Sequence, residues 1–155
     1  MATSRAGAAI DALLSILRAA PALADVAVVD GPPTQNLTKG KRLYVGWSPA
    51  SDQAADITQS FASAGARRRD EDFSIACYLE VRSGDTDMAA KRASAFTLLA
   101  AVEDVLRATD SAPEAPTLDG TVLWSQLTAA GLDQDQTQNG ALAGIPFTVT
   151  CRARI

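Results

Sequence analysis

Residues Gly65 to Arg82 read GARRRDEDFSIACYLEVR, and the second half of this stretch decides the fold. From Phe73 onward, apolar residues recur at every second position. Phe73, Ile75, Cys77, Leu79 and Val81 share one side, and Asp72, Ser74, Ala76, Tyr78, Glu80 and Arg82 share the other. Period two is the pattern of a strand with one buried face. The chain ends in IPFTVTCRARI, which alternates the same way. Ile145, Phe147, Val149, Cys151, Ala153 and Ile155 oppose Pro146, Thr148, Thr150, Arg152 and Arg154. Two such strands require an apolar layer against one face of a sheet.

Helical segments supply that layer. Ile10, Leu13, Leu14 and Leu17 fall at helical spacing behind a Thr3 or Ser4 cap, and Pro21 stops the helix because it lacks an amide hydrogen and disfavours helix in the residue before it. A second helix is expected from an Asp85 or Thr86 cap to about Thr109, burying Met88, the Arg92 stem, Ala95, Phe96, Leu99, Val102 and Leu106. Val26 to Val29 reads as a short strand and RLYVGW (Arg42 to Trp47) as another, with a polar loop between them. Ile57, Gln59 and Phe61 are consistent with a further strand, and Gly65 with its turn. Val122 to Leu127 fits a strand or a turn of helix, and Thr128 to Gly144 reads as a polar loop. The expected fold class is α+β, with a mostly antiparallel sheet and two main helices packed on one face. The reading gives one domain over residues 1–155, with a long hairpin or loop at about 48–72.

Composition bounds the chemistry. The 155 residues are 47% hydrophobic and 21% charged, which suits a folded chain and not a disordered one. The net charge of −4 argues against a general nucleic-acid binder, which needs a basic field to neutralise phosphates. Histidine is absent, so the usual general base and the commonest metal ligand are missing. Cys77 and Cys151 fall on the apolar sides of their strands and read as core thiols, with a disulfide between them the less favoured alternative. Asp11 and Arg18 interrupt the only apolar N-terminal stretch. Neither a signal peptide nor a membrane span is expected, and the protein is expected in the cytoplasm or in something assembled there.

The search for catalytic patterns comes up empty. Gly40-Lys41 is followed by Arg42 and preceded five residues earlier by Gln35, so no phosphate loop forms. No Gly-x-Ser-x-Gly elbow occurs. Asp85 and Asp87 suit a helix start, Asp70 and Asp72 are formally a carboxylate pair, and Asp133 and Asp135 lack the rest of a calcium loop. A small carboxylate-pair hydrolase is the rival reading, but no enzyme activity, cofactor or metal is expected.

The block Arg67, Arg68, Arg69, Asp70, Glu71, Asp72 sums to zero charge. It fits a solvated loop tip, a subunit contact or a phosphate contact, and the residues alone leave all three open. A wider asymmetry bears on the choice. No lysine or arginine lies between Arg107 and Arg152, while Asp110, Glu114, Asp119, Asp133 and Asp135 do. Lys39, Lys41, Arg42 and the arginine triplet are the basic counterpart. Separated charges of both signs allow a copy-to-copy contact that closes a ring if the rotation permits. The strand ending at Ile155 is a candidate edge strand, open to another chain.

Several motifs in order resemble the tail terminator proteins of long-tailed, siphovirus-like phages, especially those of actinobacteria. They are the amphipathic N-terminal helix, RLYVGW, and R-x-x-E-x-F-x-I-x-C at Arg68, Glu71, Phe73, Ile75 and Cys77. SGDTD at Ser83 to Asp87, AKRA in the second helix, PTLDGTV at Pro116 to Val122 and IPFTVT at Ile145 to Thr150 follow. The resemblance implies a structural virion protein forming a hexameric ring. Such a ring caps the tail tube, ends its elongation and joins it to the head connector or stopper, with DNA passing through the lumen without specific binding. Its place would be the head–tail junction, after assembly in the host cytoplasm. A stopper or head-completion protein, or a tail-tube subunit, is the alternative. Arg67, Arg68, Arg69, Asp70, Glu71 and Asp72, and then Lys39, Lys41 and Arg42, are the expected subunit or tube contacts.

Overall fold

The computed structural model describes residues 2–34 and 38–155, so the polar loop before Gly40 lies partly outside the described residues. Helix α1 spans Ala6–Ala19 and a short 3-10 turn follows at Pro21–Leu23. Ser4 Oγ accepts the Ala6 N–H at 3.0 Å, and Ala20 is already extended (ψ 122°), as the residue before a proline must be. Ala6, Ala9, Leu13, Leu14 and Leu17 form the buried face of α1. Strands β1 (Ala27–Asp30), β2 (Lys41–Val45), β3 (Ala55–Phe61) and β4 (Arg69–Arg82) precede helix α2 (Met88–Leu106). Strands β5 (Trp124–Ala130), β6 (Asp133–Thr137) and β7 (Gly140–Arg154) complete the chain.

The fold is α+β. Strands β4 and β7 pair antiparallel over almost their whole length, from Asp70 opposite Arg154 to Arg82 opposite Leu142. The other flank of β4 is shared. β2 takes Cys77 to Val81 and β3 takes Arg69 to Ile75, both antiparallel. The exchange falls at Ala76, whose carbonyl accepts the Gly46 N–H and whose N–H donates to the Ala54 carbonyl. The outer flank of β7 is likewise divided between β5 and β6. β1 adds to β2 in the one parallel pairing among the described residues.

Odd-numbered residues of β4 and β7 face the helices. Phe73 opposes Cys151, Ile75 opposes Val149, Cys77 opposes Phe147 and Leu79 opposes Ile145, all buried. Leu43 and Val45 extend this layer, and α1 and α2 close it with Leu13, Leu17, Ala95, Leu98 and Val102. Both cysteines are free and buried here, and burial pushes each thiol up to about 12. They stay protonated at neutral pH and are poor nucleophiles.

Four expectations change. β4 starts at Arg69 and not at the first apolar residue, because β3 pairs with its charged beginning. The segment 128–144 is not a loop. It holds the end of β5, all of β6 and the start of β7, and its polarity reflects a β6 exposed at every residue. The strand ending at Ile155 is not an edge, since β7 lies between β4 and the β5–β6 flank. In α2 the buried set is Lys91, Ala95, Leu98, Val102 and Leu106, while Phe96 is exposed. Lys91 occupies the first buried turn because Asp85, just before the helix, takes its ammonium at 3.0 Å. Asp87 caps α2 by accepting the Ala90 N–H.

Candidate functional site

The charged block does not act as one unit. Arg67 and Arg68 sit exposed in the turn between β3 and β4. Among the described residues, no ion pair or hydrogen bond engages the guanidinium of Arg67, Arg68 or Arg69. The three acids that follow lie inside β4, where period two sends them to different faces.

Glu71 points into the helix layer and is fully buried. Its Oε1 accepts the Arg5 N–H at 2.8 Å, immediately before α1, and its Oε2 accepts the Gln59 side-chain amide. Gln59 also donates to the Thr3 carbonyl at 2.7 Å. A carboxylate at a helix N-terminus satisfies an orphan N–H and meets the positive end of the helix dipole. Glu71 therefore ties β3, β4 and the start of α1 together, and offers no surface to a partner.

Asp70 and Asp72 point to the opposite, open face. Asp70 is held by Arg154 at 2.7 Å and Arg152 at 3.6 Å, and Arg152 also reaches Asp72 at 3.8 Å. The hydrogen bond from Arg154 holds the Asp70 carboxyl below the usual carboxylate range, against the opposing effect of burial. An ionised, doubly paired carboxylate is a poor proton donor near neutral pH, so Asp70 is unfit as a general acid. The lowered value also fixes a sign. The folded state holds fewer protons on Asp70 than the unfolded state, so its stabilisation is present above the unfolded carboxylate value of about pH 4 and is lost as pH falls below it. Asp70→Asn should therefore flatten the acid limb of a melting-temperature profile. An unchanged acid limb would remove Asp70 from that role.

The rest of the open face is polar in its middle and aromatic at its far end. Ser74 pairs with Thr150 and Ala76 with Thr148, next to a trough of about 290 Å³ bordered by Ser48, Ser51, Asp56 and Pro146. Tyr44 stacks on Tyr78 at 6.1 Å, and Trp47 meets both rings edge-on. Tyr78 lies across Gly144, where an added Cβ would sit 2.1 Å from its hydroxyl. Lys41 pairs with Asp25 at 3.0 Å and Arg42 with Glu80 at 3.4 Å, so these two expected contact residues have intramolecular partners, while Lys39 is exposed.

The open edges of the sheet at β3 and β6, which stand beside those of β1 and β5, differ in charge. β3 and its Arg67–Arg68 turn lie at one edge. β6, with Asp133 and Asp135, lies at the other. The same architecture occurs in a virus-like particle. The chain shares its fold with a protein of the virion of a native gene transfer agent particle, at a TM-score of 0.64 and 18% identity, over 99% of this chain and 100% of that one. No protein-family model and no curated protein sequence matches the chain. No group of three metal-ligating side chains occurs among the described residues. No helix there is long and apolar enough to cross a membrane.

Sequence reasoning reached the basic turn but took the acids beyond it as part of the same tip. The alternation continues backward from Phe73 through Glu71, and that was the available signal for an inward-facing carboxylate.

Proposed function

We propose that the chain is a non-enzymatic structural protein of a phage-like virion, and specifically a ring-forming tail terminator at the head–tail junction. The observation that carries the first part is the fold shared end to end with a virion protein. The finer role rests on the order of motifs from RLYVGW to IPFTVT. In this reading a hexamer caps the tail tube and presents its other surface to the head connector or stopper. DNA passes the lumen unbound. The work is done by surfaces, in keeping with an Asp70–Asp72 pair locked by arginines. Arg67, Arg68 and Arg69 are the contact residues with side chains to spare. Asp70 and Asp72 shape the neighbouring face, and Lys39, Lys41 and Arg42 are secondary.

Native mass spectrometry of the full chain, with tail tubes present, tests this. A closed ring on tube ends is expected, and reversing Arg67, Arg68 and Arg69 to glutamate should abolish it while leaving the circular dichroism of the monomer unchanged. A protein that stays monomeric and never binds a tube end overturns the reading. Unlimited tubes from the chain alone would make it a tube subunit instead.

A further inference from the structure

We infer that copies of this chain meet through side chains: Ile57 and Phe61 on β3 of one copy lie against Leu123, Trp124 and the groove beside β5 of the next. The inference rests on the ring reading above and names the contact between neighbours in the ring.

Four strands leave an edge open, and their registers sort them into two levels along the sheet. β3 flanks residues 69–75 of β4, and β5 pairs with residues 147–152 of β7, which face residues 72–77 of β4. β1, through β2, stands level with residues 77–80, and β6 begins level with residue 80. A rotation about an axis along the strands keeps every residue at its level, so it brings β3 opposite β5 and β1 opposite the start of β6. The first of these levels holds the apolar side chains. Ile57 is 43% exposed, Phe61 71%, Leu123 52% and Trp124 38%, whereas neither β1 nor β6 has an exposed large apolar residue.

The faces match as well as the levels. Ile57 opposes Phe73, so it projects on the helix side of the sheet, and period two puts Phe61 on the same side. Ile57 stands between the levels of Trp124 and Leu127. A groove of about 500 Å³ lies there on the far edge, between the last turn of α2 and β5, bordered by Leu106, Pro116, Trp124 and Leu127. Copies related by the rotation turn their helix sides the same way, so the projecting residues of one meet the groove of the next. β1 stands one strand farther out than β3, because β2 and β3 share one flank of β4. With the sheets side by side, β1 keeps the β3 and β5 main chains apart, and side chains make the contact.

Charge selects the head-to-tail arrangement. Arg67 and Arg68 are exposed in the turn beyond Phe61, with no intramolecular partner for either guanidinium. Glu103 borders the groove, and it shares the single guanidinium of Arg107 with Asp104, at 2.8 Å and 4.0 Å. Two carboxylates against one guanidinium leave negative charge for the neighbour's arginines. Two β3 edges together would instead oppose arginines to arginines.

The test uses the full chain with tail tubes present. Phe61→Cys and Leu123→Cys in one chain place two thiols on opposite edges, and the native Cys77 and Cys151 are buried and do not compete. A short bismaleimide should link these rings into a ladder of covalent oligomers, and neither single variant should give one. Ile57→Ser with Phe61→Ser should abolish rings while the circular dichroism of the monomer stays unchanged, since both side chains are exposed. Arg67→Glu with Arg68→Glu should block assembly, and Glu103→Lys with Asp104→Lys should restore it. Rings that give no ladder, rings that form undiminished with both serines, or failure of the charge rescue would each overturn the contact and leave the ring reading intact. Covalent dimers from Phe61→Cys alone would overturn it in favour of β3 on β3, and links from that thiol to the tube subunit in favour of a tube contact. A wild-type chain that never assembles on tubes would overturn both readings.

Discussion

Glu71→Ala should destabilise the isolated chain by about 3 kcal/mol, because it removes a buried charged acceptor that two part-buried donors share. Those donors are the Arg5 N–H and the Gln59 amide, and Glu71 itself has no exposed surface. For a domain of this size the melting temperature should fall by roughly 6–12 °C. Glu71→Gln keeps one carbonyl oxygen for Arg5 and should lose less than the alanine variant. Asp72→Ala, one residue on, removes an exposed pair to Arg152 at 3.8 Å and should change stability by no more than about 0.5 kcal/mol. Urea denaturation of the three variants measures this. An alanine variant as stable as wild type would mean that water or another group replaces the carboxylate. The contrast between neighbouring acids also separates folding from assembly, since only loss of Glu71 should be visible in the monomer.

The long central strands were legible because their inner residues alternate without interruption, as Phe73 to Val81 and Ile145 to Ala153 do. Periodicity reports burial, and it fails where burial is one-sided or absent. β6 is exposed at every residue, so DQDQT carries no apolar signal. Its turn signal, Asn139-Gly140, was present in the sequence and outweighed by polarity. α2 misled for a related reason. Alanines surround its stripe, so a shift of one position moves Phe96 in and Leu98 out at little apparent cost. Lys91 broke the rule that charge marks the outer face, and only the position of Asp85 explains it. The edge status of Ile155 could not be read from the strand itself, because pairing on its second side comes from β5 and β6, whose own patterns are weak. The charge separation was visible in the sequence, but topology alone places its poles on opposite sheet edges.

The largest single-atom effects should come from the β6–β7 turn. Gly140 has φ +112°, a region that side chains avoid, and a Cβ there would lie 2.0 Å from the Ser83 carbonyl oxygen and 2.7 Å from that of Asp85. Both are main-chain atoms that cannot rotate away. The Ala141 N–H also donates to the Asp85 carbonyl at 2.8 Å, so the turn is clamped against the segment between β4 and α2. Gly140→Ala must open that clamp and should cost about 2–4 kcal/mol, near the upper end for point substitutions. Gly120→Ala is the matched control, with φ +80° and nothing within 4 Å of the added carbon. It carries only the left-handed penalty of roughly 1–2 kcal/mol. Equal stability of the two variants would mean that the turn relaxes freely. If Gly140→Ala is the worse of the two, the clamp holds β6 in line with the sheet, and the acidic edge is presented by the loop between β4 and α2 as much as by its own strand.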